Sequence, residues 1–221
     1  MTTGAFDGRA TSDWMRRFAA TAYATEAELT ALDQQAGDGD FGVNLTAGVK
    51  AGERLLDADG NPDGGPSAPL GSMAAAFLDE IGGTSGPLFG LLFQALARTA
   101  ESAGSALTAA ALATGTEEGL AAIRRVGDAA PGDKTLVDAL TPAAEALRAA
   151  PDGTPADQAL ERAAEAAWQG VRDTADLSAR MGRASYLGER VTGVPDPGAV
   201  GIALFFASAA DTVREVAPHL R

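Results

Sequence analysis

The chain contains about eight segments in which apolar residues recur every three or four positions, separated by stretches rich in Gly, Pro, Asp and Ser. This periodicity is typical of amphipathic helices. Alanine supplies much of the 46% hydrophobic fraction, whereas aromatic residues account for only 5%. Because alanine loses no side-chain entropy in a helix, the composition favours an all-α protein. No fixed-period repeat is present, and only 185–194 could pass for a strand.

The spacing of the apolar residues predicts where each helix lies, with Thr11 or Ser12 as the first cap. The first predicted helix runs to about Gln35, the second carries Leu45, Val49 and Leu56, and the third holds Met73, Phe77 and Leu78 and ends at Gly82-Gly83. The other five cover about 86–102, 105–126, 135–149, 155–179 and 199–217. Helices of similar length with short connections usually pack antiparallel. We therefore expect a single domain over 1–221 with up-and-down topology.

Charge and residue usage exclude several classes of function. The net charge is −13, whereas a nucleic-acid-binding protein needs a basic surface to displace counterions. There is no cysteine, which excludes disulfides, thiol nucleophiles and Cys-zinc sites. The single histidine, His219, lies at the C-terminal end of the chain, so a Ser-His-Asp triad or a His-based zinc site is not expected.

The sequence gives no indication of a membrane location. The first ten residues, MTTGAFDGRA, lack the charged and then apolar pattern of a signal peptide. The longest apolar run, 199–210, is shorter than the roughly 20 residues that span a bilayer. Its length suits a buried helix, and we expect a cytoplasmic protein.

Polar residues concentrate between the predicted helices, in four segments rich in Gly, Asp, Ser, Thr and Arg. These segments are 33–44, 82–86, 127–138 and 180–198. In an up-and-down array, loops at the same end converge. The pattern therefore predicts one site at one end of the array, although plain linkers could have a similar composition.

Asp33, Asp38 and Asp40 form an acidic cluster within eight residues. Clustered carboxylates repel one another unless a cation lies between them, and hard oxygen ligands suit Mg²⁺ or Ca²⁺. An EF-hand loop starting at Asp38 would require Gly and Glu where the chain has Val43 and Val49, so that motif is excluded. An acidic helix connection without a metal remains the alternative.

The triplet Asp40-Phe41-Gly42 matches the DFG motif of protein kinases. Protein kinases also carry a catalytic HRD motif and a lysine on a preceding strand. His219 is the only histidine, so an HRD motif cannot exist here. We interpret the triplet as a coincidence.

The other polar segments are weaker signals by themselves. The stretch 81–90 places glycines, Thr84 and Ser85 before a helix, where free N–H groups suit an anion or where hydroxyls simply cap. The stretch 127–135 is not a P-loop, because that motif needs Gly directly before Lys and a preceding strand, whereas Asp133 separates Gly132 from Lys134 and no strand is predicted. Asp133 and Thr135 can instead cap the next helix. In 180–198, arginines could bind phosphate or form surface ion pairs.

Taken together, five segments resemble the ADP-binding L subunit of dihydroxyacetone kinase. In chain order they read LDQQAGDGDFGVN, GGTSGPLFG, PGDKTLVDAL, GRASYLGER and DPGA. The similarity covers nearly the whole chain, whose length also matches a stand-alone L subunit. The resemblance implies an eight-helix, antiparallel up-and-down α-barrel with a nucleotide site at one end.

The resemblance also implies the ligands of that site. Two Mg²⁺ ions would be bound by Asp33, Asp38 and Asp40 and would bridge the phosphates of ADP or ATP. The implied nucleotide contacts are Asn44, Gly82, Gly83, Thr84, Ser85, Gly127, Leu136, Arg190, Asp196 and Gly198.

Two positions depart from many members of that family. Phe41 stands where many members carry histidine, so a polar contact made there in relatives is absent. Leu136 stands where some carry methionine, which is a mild apolar exchange.

The implied activity is phosphoryl transfer, which depends on positioning and charge neutralisation more than on covalent chemistry. The acceptor would be dihydroxyacetone held covalently by a histidine of a separate K subunit. Either a phosphotransferase-system M subunit recharges the bound ADP, or ATP is the donor. Two alternatives stay open: an L subunit for another small keto sugar, such as a tetrulose, and a nucleotide-binding regulator that contacts a transcription factor.

Overall fold

Helices account for most of the described chain. The computed structural model describes residues 5–59, 65–82, 85–186 and 191–221. The α-helices in these ranges are α1 (Gly8–Ala36), α2 (Phe41–Asp59), α3 (Ser67–Asp79), α4 (Ser85–Ala103), α5 (Ala109–Gly127), α6 (Leu136–Arg148), α7 (Ala156–Thr174) and α8 (Pro197–Ala207). A two-residue antiparallel pair, β1 (Phe6–Asp7) with β2 (Ala106–Leu107), and 3-10 turns at Arg183–Tyr186 and Ala217–Leu220 are the minor elements.

The helices form a closed ring. Each one packs against its successor in the chain, and α8 packs against α1 as well as against α6 and α7. The predicted eight-helix up-and-down architecture is confirmed. Because direction alternates, α1, α3, α5 and α7 end where α2, α4, α6 and α8 begin. The described parts of the connections between them, 37–40, 80–82, 128–135, 175–186 and 191–196, therefore share one end.

The last helix, α8, is buried on all sides, from Pro197 to Phe206. Its Phe205 ring stacks on Trp14 with a centroid distance of 4.6 Å, and the Trp14 indole N–H donates to the Phe205 carbonyl at 2.9 Å. Phe18 and Phe93 contact the same ring edge-on. These aromatic side chains belong to the buried hydrophobic core.

Several predicted boundaries are wrong, and each has a local cause. Helix α1 begins at Gly8 because Asp7 caps it, its Oδ1 accepting from Ala10 N at 2.9 Å. The fifth helix begins at Ala109 rather than 105, because 106–107 pair with β1. Helix α7 ends at Thr174 rather than at 179. At that point the Thr174 hydroxyl accepts from the Asp196 N–H, at the end of the loop before α8.

The final helix ends at Ala207, ten residues before the predicted end. The chain then turns back along α1, where the Glu28 carboxylate accepts from Val216 N and Ala217 N, each at 3.1 Å. The possible strand at 185–194 begins as a 3-10 turn, and its 187–190 portion lies outside the described residues. Across the described ranges, every helix is too short or too polar to cross a bilayer.

Candidate functional site

An open cavity of about 230 Å³ lies at the end of the barrel where the even-numbered helices begin. It is lined by residues from all four polar segments identified in the sequence. Its lining includes Asp33, Gly37, Asp38, Asp40, Phe41, Asn44, Ser85, Leu88, Ile123, Gly127, Ala129, Lys134, Leu136, Met181, Asp196 and Gly198.

The acidic cluster forms one side of this cavity. Asp33 is 9% exposed near the end of α1, while Asp38 and Asp40 are exposed in the connection to α2. Each contributes a carboxylate oxygen, and these oxygens all lie within 4.8 Å of one another. Three carboxylates at this separation are mutually repulsive without a cation. An all-oxygen ligand set with room for further ligands fits Mg²⁺.

The orientation of Asp33 is set by two backbone features. Its Oδ2 accepts the N–H of Phe41 at 3.0 Å. On the other side, a Cβ at Gly37 would lie 2.5 Å from Asp33 Oδ1. The glycine therefore leaves space beside Oδ1, so one carboxylate oxygen is fixed by the protein and the other stays open to a ligand.

Phe41 has two separate roles. Its ring is 5% exposed and packs against Phe89 at a centroid distance of 6.3 Å, within the hydrophobic core. Its backbone N–H is the group that holds Asp33. The side chain that replaces the family's common histidine is therefore a core residue, while the contact to the acidic cluster comes from the main chain.

Four helices begin at the cavity and point their N-termini toward it. The first residues of α2, α4, α6 and α8, namely Phe41, Ser85, Leu136 and Pro197, all line it. Each helix N-terminus carries a partial positive charge and unpaired N–H groups, which favour anions. This arrangement gives a protein of net charge −13 a local environment suited to phosphate.

Side-chain caps already occupy two of these N-termini. Thr135 and Asp138 form a capping box on α6. Asp196 caps α8, its Oδ2 accepting from Ala199 N at 2.7 Å. Burial raises the pKa of Asp196 to about 7, with the Asp138 and Asp33 carboxylates acting in the same direction, while the Ala199 N–H and Lys134 oppose the rise. At the start of α2 the Phe41 N–H likewise donates to Asp33 Oδ2. Ser85, the first residue of α4, and Asn44, in the first turn of α2, line the cavity and are the candidates for phosphate contact.

Lys134 was not identified as a site residue from the sequence. Its side chain is 2% exposed, yet it lines the cavity, and its Nζ donates to the backbone carbonyls of Thr174 and Val194, the latter at 2.6 Å. Burial lowers the pKa of Lys134, whereas the carboxylates of Asp196, Asp138 and Asp176 favour its charged form. The sequence signals at this lysine are the near match to a P-loop and its place in the segment PGDKTLVDAL.

The structure brings together most of the predicted site residues. The predicted residues that line the cavity are Asp33, Asp38, Asp40, Asn44, Ser85, Gly127, Leu136, Asp196 and Gly198. Gly82 is exposed and is not part of the lining. Gly83, Thr84 and Arg190 lie outside the described residues.

Part of the cavity lining forms an apolar wall. Leu88, Ile123, Ala129, Leu136 and Met181 line it. Of these, the sequence motifs indicated only Leu136. The cavity thus combines a carboxylate cluster, helix N-termini and an apolar wall, which together can accommodate a metal, phosphates and a flat ring.

Comparison with known proteins agrees with this architecture. The model of the DAK2 domain family matches residues 35–211. The crystal structure of the dihydroxyacetone kinase from C. freundii in complex with AMP-PNP and Mg²⁺ superimposes with a TM-score of 0.68 and 28% identity, over 90% of this chain and 33% of that chain.

Two curated relatives illustrate the range of sequence similarity. The chain is 36% identical to the Escherichia coli PEP-dependent dihydroxyacetone kinase, ADP-binding subunit DhaL, over 86% of this chain and 90% of that protein. It is 38% identical to the D-erythrulose kinase of Mycolicibacterium smegmatis over 94% of this chain, but spans only 36% of that longer protein.

The fold and the cavity define an eight-helix barrel with an acidic site at one end. The chain belongs to the DAK2 domain family. The resemblance to the L subunit of dihydroxyacetone kinase, inferred from five motifs, is confirmed.

Proposed function

We propose that this chain is the nucleotide-binding, phosphoryl-transferring component of a kinase for a small keto sugar, dihydroxyacetone being the first candidate. The observation that carries the proposal is the juxtaposition, in one cavity, of three carboxylates within 4.8 Å and four helix N-termini. A metal-bound polyphosphate matches both features, because the carboxylates complement the cation and the helix N-termini complement the phosphates.

Asp33, Asp38 and Asp40 would hold Mg²⁺, as two ions in the arrangement that the family resemblance implies. Bound Mg²⁺ neutralises the charge of the polyphosphate and of the oxygens between which the phosphoryl group passes. The Phe41 N–H keeps the Asp33 carboxylate in place for this role.

The remaining cavity residues would bind the nucleotide itself. The N-termini of α2 and α4, with Asn44 and Ser85, face the cavity beside the acidic cluster and would hold the phosphates. The apolar wall around Ile123 and Leu136 would hold the base. ADP and ATP share the base and the metal-binding phosphates, so the proposal covers both.

The acceptor hydroxyl would be presented by another polypeptide or by another part of a longer protein. The chain's one histidine, His219, stacks on Trp168 at 4.5 Å and is not part of the cavity lining. A ketose held covalently by a histidine therefore requires a partner, the K subunit that the resemblance implies. An M subunit that rephosphorylates bound ADP is one source of the donor, and free ATP is the other.

A second candidate substrate is a tetrulose. It is favoured by the 38% identity to a D-erythrulose kinase over 94% of this chain. Since the ketose would bind to the partner, the sugar preference would be set there. A panel of dihydroxyacetone and erythrulose, assayed with the cognate K-type subunit, separates the two candidates.

Isothermal titration calorimetry with Mg·ADP tests nucleotide binding directly. The wild type should bind, and Asp38→Ala/Asp40→Ala should lose at least about a hundredfold in affinity, since the metal bridge to the phosphates is removed. A matched control, Asp152→Ala/Asp157→Ala, removes the same charge at the opposite end of the barrel and should bind normally. Undiminished affinity in the Asp38/Asp40 variant would refute the metal bridge.

A kinase assay tests the division of labour. The chain alone, supplied with Mg·ATP and dihydroxyacetone, should transfer no phosphate to the sugar until a K subunit is added. Robust turnover by the chain alone would refute the two-component proposal.

A further inference from the structure

We propose that Lys134 and Thr174 are positioning residues that hold the loop before α8, and with it Asp196 and Gly198, as one wall of the nucleotide site. The proposal rests on the proposed function, because it assigns these residues a role in nucleotide affinity. Neither residue belongs to the acidic cluster or to the helix N-termini that face the phosphates.

The backbone holds Lys134 in an unusual conformation. Its φ is 62°, in the left-handed region that costs a residue with a side chain about 1 kcal/mol or more. Hydrogen bonds on both sides enforce it: Asp133 Oδ2 accepts from Ala130 N at 2.8 Å, and Asp138 accepts from Gly132 N at 2.5 Å and from Thr135 N at 2.8 Å. The turn therefore aims one particular side chain inward.

The ammonium of Lys134 joins two distant parts of the chain. It donates to the carbonyl of Thr174, the last residue of α7, and to that of Val194 in the loop before α8. A helix C-terminus carries partial negative charge, so a cation there is stabilising. Lys134 thus fixes the loop onto the end of α7 from the side of α6.

Thr174 completes the attachment from the side of α7. It is fully buried; its Oγ1 accepts from Asp196 N at 2.9 Å and donates to Val171 O at 2.6 Å. One residue further on, Ala175 O accepts from Gly193 N at 2.8 Å. The loop is therefore held at residues 193, 194 and 196, immediately before α8 enters the cavity wall.

The attachment matters to the cavity because α8 approaches α6 closely there. A Cβ on Gly198 would lie 3.1 Å from Asp196 Oδ2 and 3.3 Å from the Leu136 Cβ. A small outward shift of the loop would separate Gly198 from Leu136 and widen the cavity at its apolar wall. The acidic cluster, which lies on α1 and α2, would keep its geometry.

A packing role alone would not favour a lysine here. Burying an ammonium is costly, and an apolar side chain of similar volume often stabilises a site at least as well. The lysine supplies what an apolar residue cannot, namely two directed hydrogen bonds. One is to the Val194 carbonyl in the loop, and the other is to the Thr174 carbonyl, which also accepts from Leu177 N at 3.2 Å.

The test compares Lys134→Met with Arg17→Met. Arg17 is a matched control because its guanidinium also donates to two backbone carbonyls, those of Ser208 and Ala209, at the opposite end of α8. Both variants should unfold at lower temperature than the wild type. Lys134→Met should lose about tenfold or more in Mg·ADP affinity, as expected when hydrogen bonds from a charged donor are removed, whereas Arg17→Met should not.

Binding of Mn²⁺ alone, followed by electron paramagnetic resonance, provides a second readout. Lys134→Met should bind Mn²⁺ like the wild type, because the acidic cluster is unaffected. Mg·ADP affinity within about twofold of the wild type in Lys134→Met would overturn the proposal, as would a parallel loss of Mn²⁺ binding, which would indicate general damage.

If Lys134→Met does not fold, Thr174→Val and Thr174→Ser test whether the attachment of the loop before α8 sets the Mg·ADP affinity. Valine matches the shape of threonine but removes the acceptor for Asp196 N, whereas serine retains it. Thr174→Val should weaken Mg·ADP binding and Thr174→Ser should not; equal affinities in the two would overturn the proposal. Absence of Mg·ADP binding in the wild type would instead refute the proposed function itself.

Discussion

Asp33 Oδ2 accepts the backbone N–H of Phe41 at 3.0 Å, so the acidic cluster is coupled to the hydrophobic core through one residue. The Phe41 ring is fixed among core side chains, and its main chain starts α2 beside the cavity. The position of one carboxylate is therefore determined by packing inside the barrel. Because the contact comes from the main chain, it does not depend on which side chain stands at position 41.

Gly37→Ala should impair metal and nucleotide binding without unfolding the protein. The new methyl group would lie 2.5 Å from Asp33 Oδ1 and would force that carboxylate away from Asp38 and Asp40. We expect about a tenfold or greater loss of Mg·ADP affinity by calorimetry. Gly71→Ala is the control, since a Cβ there has nothing within 4 Å. Equal affinity in the two variants would contradict the assigned role of Gly37.

Phe41→His should destabilise the protein by about 1–3 kcal/mol, because a polar ring replaces an apolar one at a site that is 5% exposed. Urea denaturation measures the change. Mg·ADP affinity should stay within about twofold of the wild type, since the backbone N–H that holds Asp33 remains. Phe41→Met removes the ring but stays apolar, so the difference in unfolding free energy between the methionine and histidine variants measures the cost of burying a polar group. A histidine variant as stable as the wild type would show that this position tolerates a polar side chain.

The stability of the metal-free protein should fall as the pH rises from about 4 to about 7, in part because of Asp196. Its pKa is raised to about 7 in the folded state by burial and by the nearby Asp138 and Asp33, against the opposing Lys134. The folded state then binds the proton more tightly than the unfolded state, so deprotonation costs folding free energy. Above pH 7 this loss of folding free energy is fully present, and below the pKa of Asp196 in the unfolded chain it is absent.

Asp196→Asn isolates this contribution, because asparagine can still cap α8 but does not titrate. Thermal denaturation in EDTA at pH 5 and pH 8 should show a smaller difference for the variant than for the wild type. Identical pH dependence in the two proteins would show that Asp196 does not titrate in this range.

The rim of the cavity should contribute to partner binding. Among the described residues, three of the four exposed large apolar side chains lie within two positions of a cavity-lining residue in the chain. Val43 precedes Asn44, Val126 precedes Gly127, and Tyr186, which is 90% exposed, follows Ala184 by two residues. Val126→Ser/Tyr186→Ser should leave Mg·ADP affinity unchanged and raise the concentration of K subunit needed for half-maximal turnover by about tenfold, since exposed aromatic residues often dominate interfaces. Tyr23→Ser, on α1, is the control. Unchanged turnover would place the partner elsewhere.

The acidic cluster could be predicted because its residues are close in sequence. Asp33, Asp38 and Asp40 span eight positions across one turn between two helices, so local spacing alone brings them together. The amphipathic helices could be predicted for the same reason, since their period is a local property.

The role of Lys134 could not be predicted, because its partners are 40 and 60 residues away in the chain. Those partners are also backbone carbonyls, which every residue carries, so residue type gives no signal. The end of α8 was predicted wrongly because it too depends on contacts with a distant part of the chain. Apolar residues continue after Ala207, at Val213 and Val216, but they pack as an irregular segment along α1.

Because helix direction alternates, the cavity lies at one end of the barrel, and the loops at the other end can be altered without changing it. In the described part of the chain, the connections that contribute residues to the cavity lie at one end, and the turn 149–155, between α6 and α7, lies at the other. Asp152 in that turn is exposed and about one helix length from the cavity. A fluorophore, an affinity tag or an inserted module attached there would report on the protein without touching the nucleotide.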